Sequence, residues 1–163
     1  MKFRIGILTL SDKGARGERV DSSGPLLATL VAELGEVVKT AIIPDDAATI
    51  VATLCAWADK EDLQLILTTG GTGLSPRDVT PEATLQVVDR LVPGMAEAMR
   101  AASLVKTPHA MLSRAVVGIR GATLIINLPG SPKGASENLT VLLPALGHAL
   151  AKLQGDPADC ATP

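Results

Sequence analysis

The sequence predicts an α/β fold in which an open, mostly parallel sheet is covered by helices on both faces. Three observations carry this expectation. Short apolar, β-branched runs alternate with segments of helical periodicity. The runs stop in loops that hold most of the glycine, proline and acidic residues suited to binding. The chain has 163 residues, 47% of them hydrophobic, which suits one compact domain over residues 1–153 followed by a frayed tail, 154–163.

Phe3–Leu10 is apolar and β-branched enough to be a buried strand, and it ends at Ser11-Asp12 in a polar, glycine-containing loop. A helix follows, entered through Ser23 and Gly24 with Pro25 in its first turn. Leu26, Leu27, Leu30, Val31 and Leu34 share its apolar face, and Gly35 ends it. Val37–Ile43 reads as a strand that stops at Pro44. Asp45 or Asp46 caps the next helix, which carries Ile50, Val51, Leu54, Trp57 and Ala58 on one side. Leu63–Thr68 is a third strand running straight into Gly70, Gly71 and Gly73. Thr80, as N-cap, and Pro81 start a helix; Gly94 opens another, with Met95, Ala98, Met99, Ala102 and Val105 inward. Ala115–Ile119 and Thr123–Asn127 are strands split by Arg120-Gly121. The last helix covers Lys133 to Leu153, with Leu139, Leu142, Leu143, Leu146, Ala149 and Leu153 as its stripe and a kink at Pro144.

Composition narrows the function. The core is aliphatic, since the chain has one Phe, one Trp and no Tyr. So few rings argue against a stacking platform for single-stranded nucleic acid. A net charge of −2 without a basic run argues against a duplex-binding surface. No apolar run is long enough to span a bilayer, and the N-terminus lacks a signal-peptide pattern, so a cytoplasmic protein is expected. Cys55 and Cys160 lack zinc or disulfide spacing. His109 and His148 have no partner spacing that suggests a nucleophilic triad, and the dinucleotide glycine pattern is missing after the first strand.

In open α/β sheets ligands bind outside the carboxyl ends of the strands. That rule selects four loops: Ser11-Asp12, Pro44-Asp45-Asp46, Gly70 to Asp78, and Asn127 to Lys133. In the third, glycines after a strand let backbone N–H groups face an anion, and Thr68, Thr69 and Thr72 add hydroxyls. Arg77 supplies a planar cation and Asp78 a hard oxygen ligand. One aspartate of the 45–46 pair together with Asp78 fits magnesium, which takes one or two carboxylates plus substrate phosphates. Pro129, Gly130 and Pro132 make a rigid turn in which Ser131 and Lys133 stand near a phosphate.

In chain order, IPDD (43–46), LTTGGTG (67–73), PRDVTPEAT (76–84), AMLSRAVVGIRG (110–121) and IINLPGSP (125–132) are similar to the MogA/MoaB-type molybdopterin adenylyltransferases. The resemblance runs from Ile5 to about Leu153. It implies a three-layer α/β/α sandwich, the molybdopterin-binding fold, and a homotrimer. It implies magnesium-dependent transfer of AMP from ATP to molybdopterin, with possible hand-over of the product to a metal-insertion enzyme. The family's acidic catalytic and metal positions fall on Asp45 and Asp78. Ser113 and Asn127 match positions linked to molybdopterin. Thr69, Gly70, Gly71, Thr72 and Gly73, with Pro129, Gly130 and Ser131, match pterin- and nucleotide-binding loops. Asp12 matches an acidic position near the end of the first strand. Arg77, Arg114 and Lys133 are the candidate cations toward phosphate. A carrier that binds the pterin without turnover is the rival reading, and the intact pair of aspartates argues against it.

Overall fold

The computed structural model describes residues 2–160. Among these, the sheet has six strands: β1 (Phe3–Leu10), β2 (Gly35–Ile43), β3 (Leu65–Thr69), β4 (Arg90–Leu91), β5 (Val117–Arg120) and β6 (Thr123–Leu128). They lie side by side in the order β2-β1-β3-β6-β5-β4. The first four are parallel, and β5 and β4 close one edge antiparallel. The helices are α1 (Asp12–Ala15), α2 (Ser23–Leu30), α3 (Ala47–Asp59), α4 (Thr80–Val87), α5 (Pro93–Leu104) and α6 (Pro132–Leu153), with a 3-10 turn at Pro108–Leu112. No helix among the described residues is long and apolar enough to cross a membrane.

Both faces of β1, β3 and β6 are covered, which is why these strands are apolar along most of their length, whereas the edge strand β2 alternates exposed and less exposed residues. Alternate residues serve opposite layers. Ile5 and Ile7 of β1, Leu65 and Leu67 of β3, and Leu124, Ile126 and Leu128 of β6 pack under α2, α5 and α6. Leu8, Leu10, Ile66 and Ile125 pack against α3 and α4, around Trp57. The chain leaves β1 for β2 on one side, while β3 lies on the other. The carboxyl ends of β1 and β3 therefore form the crevice where such sheets bind ligands.

The structure departs from the expected elements in several places. The loop after β1 begins with a one-turn helix, α1, capped by Ser11. Gly35 starts β2 instead of ending α2: a Cβ there would stand 2.3 Å from the Phe3 carbonyl oxygen. Leu26 is 37% exposed because Leu27 and Val31 set the buried face of α2. Val105 is 88% exposed, since α5 stops at Leu104 and the helical period does not reach it. Pro93, not Gly94, opens α5. Leu150, rather than Ala149, continues the buried stripe of α6, which runs unbroken through an exposed Pro144. The two-residue strand β4 had no signal of its own; β5 recruits it in pairing. At the end of α6 the Asp156 N–H donates to the Ala151 carbonyl and Gln154 Nε2 to the Ala122 carbonyl; of the tail expected to be frayed, residues 161–163 lie outside the described residues.

Gly6 tests the packing of the α3 layer. A Cβ at this position would lie 2.6 Å from Leu63 Cδ1 and 2.8 Å from Trp57 Cε3. Gly6→Ala is expected to lower stability by about 1–3 kcal/mol through overpacking. Urea denaturation measures it, and an unchanged midpoint would contradict the described packing.

Candidate active site

Three aspartates meet at the switch point. Ser11 caps α1 by accepting the Gly14 N–H at 3.0 Å, and so turns Asp12 back over the sheet edge. Asp12 and Asp45 then hold one another: the Asp12 N–H donates to Asp45 Oδ2, and the Asp45 N–H donates to Asp12 Oδ1, both at 3.0 Å. Asp46, not Asp45, caps α3, accepting from the Thr49 N–H at 2.9 Å. This division of labour leaves Asp45 Oδ1 beside Gly71, 3.2 Å from where a Cβ on that glycine would stand. Asp78 faces the same cleft, with Oδ2 accepting the Ser75 N–H.

The turn at 70–73 carries its hydrogen bonds on one side. Gly70 and Gly71 take positive φ, +107° and +69°, which side chains resist. The Gly70 carbonyl accepts from Thr80 Oγ1, Gly71 from the Thr80 N–H, Thr72 from the Arg114 N–H, and Gly73 from Arg114 Nε. Among the described residues, the N–H groups of Gly71, Thr72 and Gly73 donate to no protein acceptor. Carbonyls tied down and amides free make an anion-facing turn. The Pro129–Ser131 turn is held against it: Thr69 Oγ1 donates to the Pro129 carbonyl at 2.7 Å, and Ser23 Oγ to the Gly130 carbonyl at 2.9 Å.

Two clefts share these turns. The first, of about 550 Å³, is lined by Asp12, Asp45 and Asp78 together with Thr69, Gly70, Gly71, Gly130 and Ser131. The second, of about 310 Å³, takes Thr72, Gly73, Ser113, Pro129 and also Ser131. Asn127, Arg114 and Lys133, all expected at the site, line neither. Asn127 is fully buried. Its Oδ1 accepts the Val116 N–H and its Nδ2 donates to Thr68 and Thr84 hydroxyls, so it braces β6 against the strand leading into the turn. Arg114 spends its fork on Gly73, on the Asp78 carbonyl at 2.7 Å and on Glu82. Lys133 is exposed at the start of α6. Ser131 caps α6 through the Gly134 N–H, and Thr80, expected as a cap, is instead buried against Gly70. Arg77 makes a two-pronged pair with Asp12, both contacts 2.9 Å. The sequence reading missed Lys13, Arg19 and Ser23 in the first cleft and Arg100 and Asn138 in the second. The dense charge of the loop after β1 was the available signal.

Electrostatics separates the carboxylates. Hydrogen bonding from Arg77, helped by the Asp45 N–H, holds Asp12 below the usual carboxylate range. Burial pushes Asp45 above it; the Asp12 N–H opposes this, and the Asp12 and Asp78 carboxylates reinforce it. A half-buried carboxylate disfavoured in its ionised form, with a second one nearby, is a donor set that a divalent cation fits. Among the described residues no group of three or more His, Cys, Asp or Glu could hold a metal by itself.

The family model described as a probable molybdopterin binding domain matches residues 6–148. The chain is 44% identical to the molybdopterin adenylyltransferase of Escherichia coli strain K12 over 151 residues, 91% of this chain and 77% of that protein. It is 42% identical to gephyrin of Dictyostelium discoideum, covering 94% of this chain but 23% of gephyrin, so it spans about a quarter of that longer protein. The solved MoaB of Thermus thermophilus superposes with a TM-score of 0.90 at 55% identity, covering 96% of this chain and 99% of that one. The tungsten cofactor synthesizing protein MoaB of Pyrococcus furiosus superposes at 0.86 with 35% identity, covering 94% and 98%.

Two outcomes follow from the geometry. A carboxyl whose folded-state pKa is raised binds its proton more tightly when folded, so its ionisation opposes folding as pH rises through that pKa. Asp45→Asn is expected to raise Tm at pH 7, with the gain vanishing as pH falls through the ordinary carboxylate range; thermal melts at pH 3–8 check it. Asn127→Leu strands the Val116 N–H and the Thr68 hydroxyl, takes one of two partners from the Thr84 hydroxyl, and is expected to cost about 3 kcal/mol or more, measured by urea unfolding.

Proposed function

This chain belongs to the molybdopterin-binding domain family, and on that premise we propose that it is a molybdopterin adenylyltransferase acting in molybdenum cofactor biosynthesis. It transfers AMP from ATP to the phosphate of molybdopterin and releases pyrophosphate. One observation carries the reading: Asp45 and Asp78, from loops more than thirty residues apart, line one cleft beside the free amides of the glycine turn. The naming of several relatives as adenylyltransferases supports it.

The chain's own groups account for binding and positioning. The amides of Gly71, Thr72 and Gly73 face phosphate oxygens. Ser113, across the turn in the second cleft, stands on the pterin side. Arg114 and Asn127 act through the backbone they hold. The nucleophile is a phosphate monoester, largely dianionic at pH 7. Its oxygen forms a bond to the α-phosphorus of ATP as the bond to the bridging oxygen breaks, and that electron pair leaves on pyrophosphate. No proton has to be removed, so no general base is needed. What remains for the protein is alignment and charge stabilisation. Asp45 and Asp78 are the residues that would hold magnesium, which when bound neutralises phosphate charge. A homotrimer in the cytoplasm, handing its product to a metal-insertion enzyme, completes the proposal.

The test is pyrophosphate release from ATP, magnesium and molybdopterin, matched one for one by adenylylated pterin. Asp45→Asn and Asp78→Asn are each expected to slow turnover on the order of 100-fold or more while retaining pterin binding. Near-normal rates in both variants, or a wild-type protein that binds the pterin and releases no pyrophosphate, would overturn the assignment.

A further inference from the structure

Every cation that the sequence pointed toward phosphate is engaged elsewhere or stands outside the clefts. Arg77 is paired with Asp12 and does not line the acidic cleft. Arg114 is spent on two carbonyls and Glu82. Lys133 lines neither cleft. The cations that do line the first cleft are Lys13 and Arg19, and among the described residues neither side chain has an ion pair or hydrogen-bond partner. Building on the nucleotide reading above, we propose that Lys13 and Arg19 bind the two terminal phosphates of ATP and stabilise the departing pyrophosphate.

Three features support this placement. Their loop is tethered at both ends. Its start is fixed by the Glu18 N–H on the Lys13 carbonyl and by the Arg16–Glu18 ion pair. Its end is fixed by Asp21, which accepts from Thr9 Oγ1 at 2.8 Å and from the Gly24 N–H at 3.0 Å. Arg19 is thus carried on a short span at the cleft rim, not on a free arm. Direction is the second feature. Gly70 and Gly71 face the first cleft, while Thr72, Gly73 and Ser113 face the second. A nucleophile entering from the Ser113 side displaces its leaving group in line, and so toward the far wall of the first cleft. Lys13 and Arg19 line the first cleft and not the second. Charge is the third. The cleft is lined by four carboxylates, Asp12, Asp21, Asp45 and Asp78, of which Arg77 offsets one. A triphosphate adds several negative charges, and more develops on the bridging oxygen as the bond breaks. Cations free of internal partners are those able to meet it.

Calorimetric titration of the purified chain with ATP, AMP and pyrophosphate tests the proposal. Lys13 and Arg19 are both exposed, so Lys13→Gln and Arg19→Gln should fold, as circular dichroism and thermal melts would verify. Each is expected to weaken ATP and pyrophosphate roughly tenfold, to leave AMP affinity as in wild type, and to reduce the salt dependence of ATP binding. Arg19→Lys should restore most of the loss. Unchanged ATP and pyrophosphate affinity in the double variant would overturn the assignment, as would an equal loss for AMP, which marks a structural role. A wild-type protein that binds none of the three would instead sink the nucleotide reading itself.

Discussion

The reciprocal bond between Asp12 and Asp45 sets the geometry on which the site depends. Each carboxylate accepts the other's peptide N–H, so the segments leaving β1 and β2 are joined by two charge-assisted bonds just beyond the paired strand ends. The arrangement brings two carboxylates together, which is unfavourable unless something offsets it. Arg77 compensates Asp12. Nothing equivalent reaches Asp45, which keeps one oxygen toward the glycine turn and carries the burden of burial in its raised pKa. A group held at such a disadvantage by its neighbours is typical of a site built for a ligand that the free protein does not supply.

Local chemistry explains what was legible in the sequence and what was not. The central strands β1, β3 and β6 were readable because both faces are buried, and the glycine turn because positive φ leaves few alternatives. Neighbouring aspartates were harder: Asp45 and Asp46 are equal candidates for capping α3 by sequence, and only the Thr49 bonds assign that duty to Asp46. Thr80 presents a cap signature before Pro81, yet its hydroxyl is drawn to the Gly70 carbonyl, a partner ten residues away that local pattern does not reveal. The same holds for β4, whose two residues are ordered by pairing with β5. Gathering Asp12, Asp45 and Asp78 into one cleft followed from the strand-end rule; which basic residues join them did not, because that depends on which guanidinium is already engaged.

Asn127 shows how a residue that touches no cleft can still govern one. It links the strand before the Pro129 turn, the strand before the glycine turn and helix α4 through Thr68 and Thr84. Thr84 Oγ1 in turn donates to the Thr80 carbonyl, and Thr80 holds the glycine turn. A chain of fully buried hydrogen bonds thus runs from β6 to the glycine turn. Inside the protein such a network is rigid when every member is satisfied, and no buried side-chain polar atom among the described residues lacks a partner.

The shortage of aromatic residues gives these polar ties their weight. With one Phe and one Trp, the loops have almost no rings to anchor them, and the aliphatic core fixes strands and helices but not the segments between. Arginines take over that task. Arg100 donates to the Ala115 carbonyl, Arg114 to those of Gly73 and Asp78, and Arg120 to Val87 while pairing with Asp59. A planar fork with several donors is suited to joining carbonyls from different loops, and a lysine could not replace it there. The arginines therefore divide by partner: those directed at main-chain carbonyls are part of the scaffold, whatever motif they occupy. Arg114 sits inside a family motif and still belongs to this class, so a motif position identifies where a residue stands but its partners decide what it does.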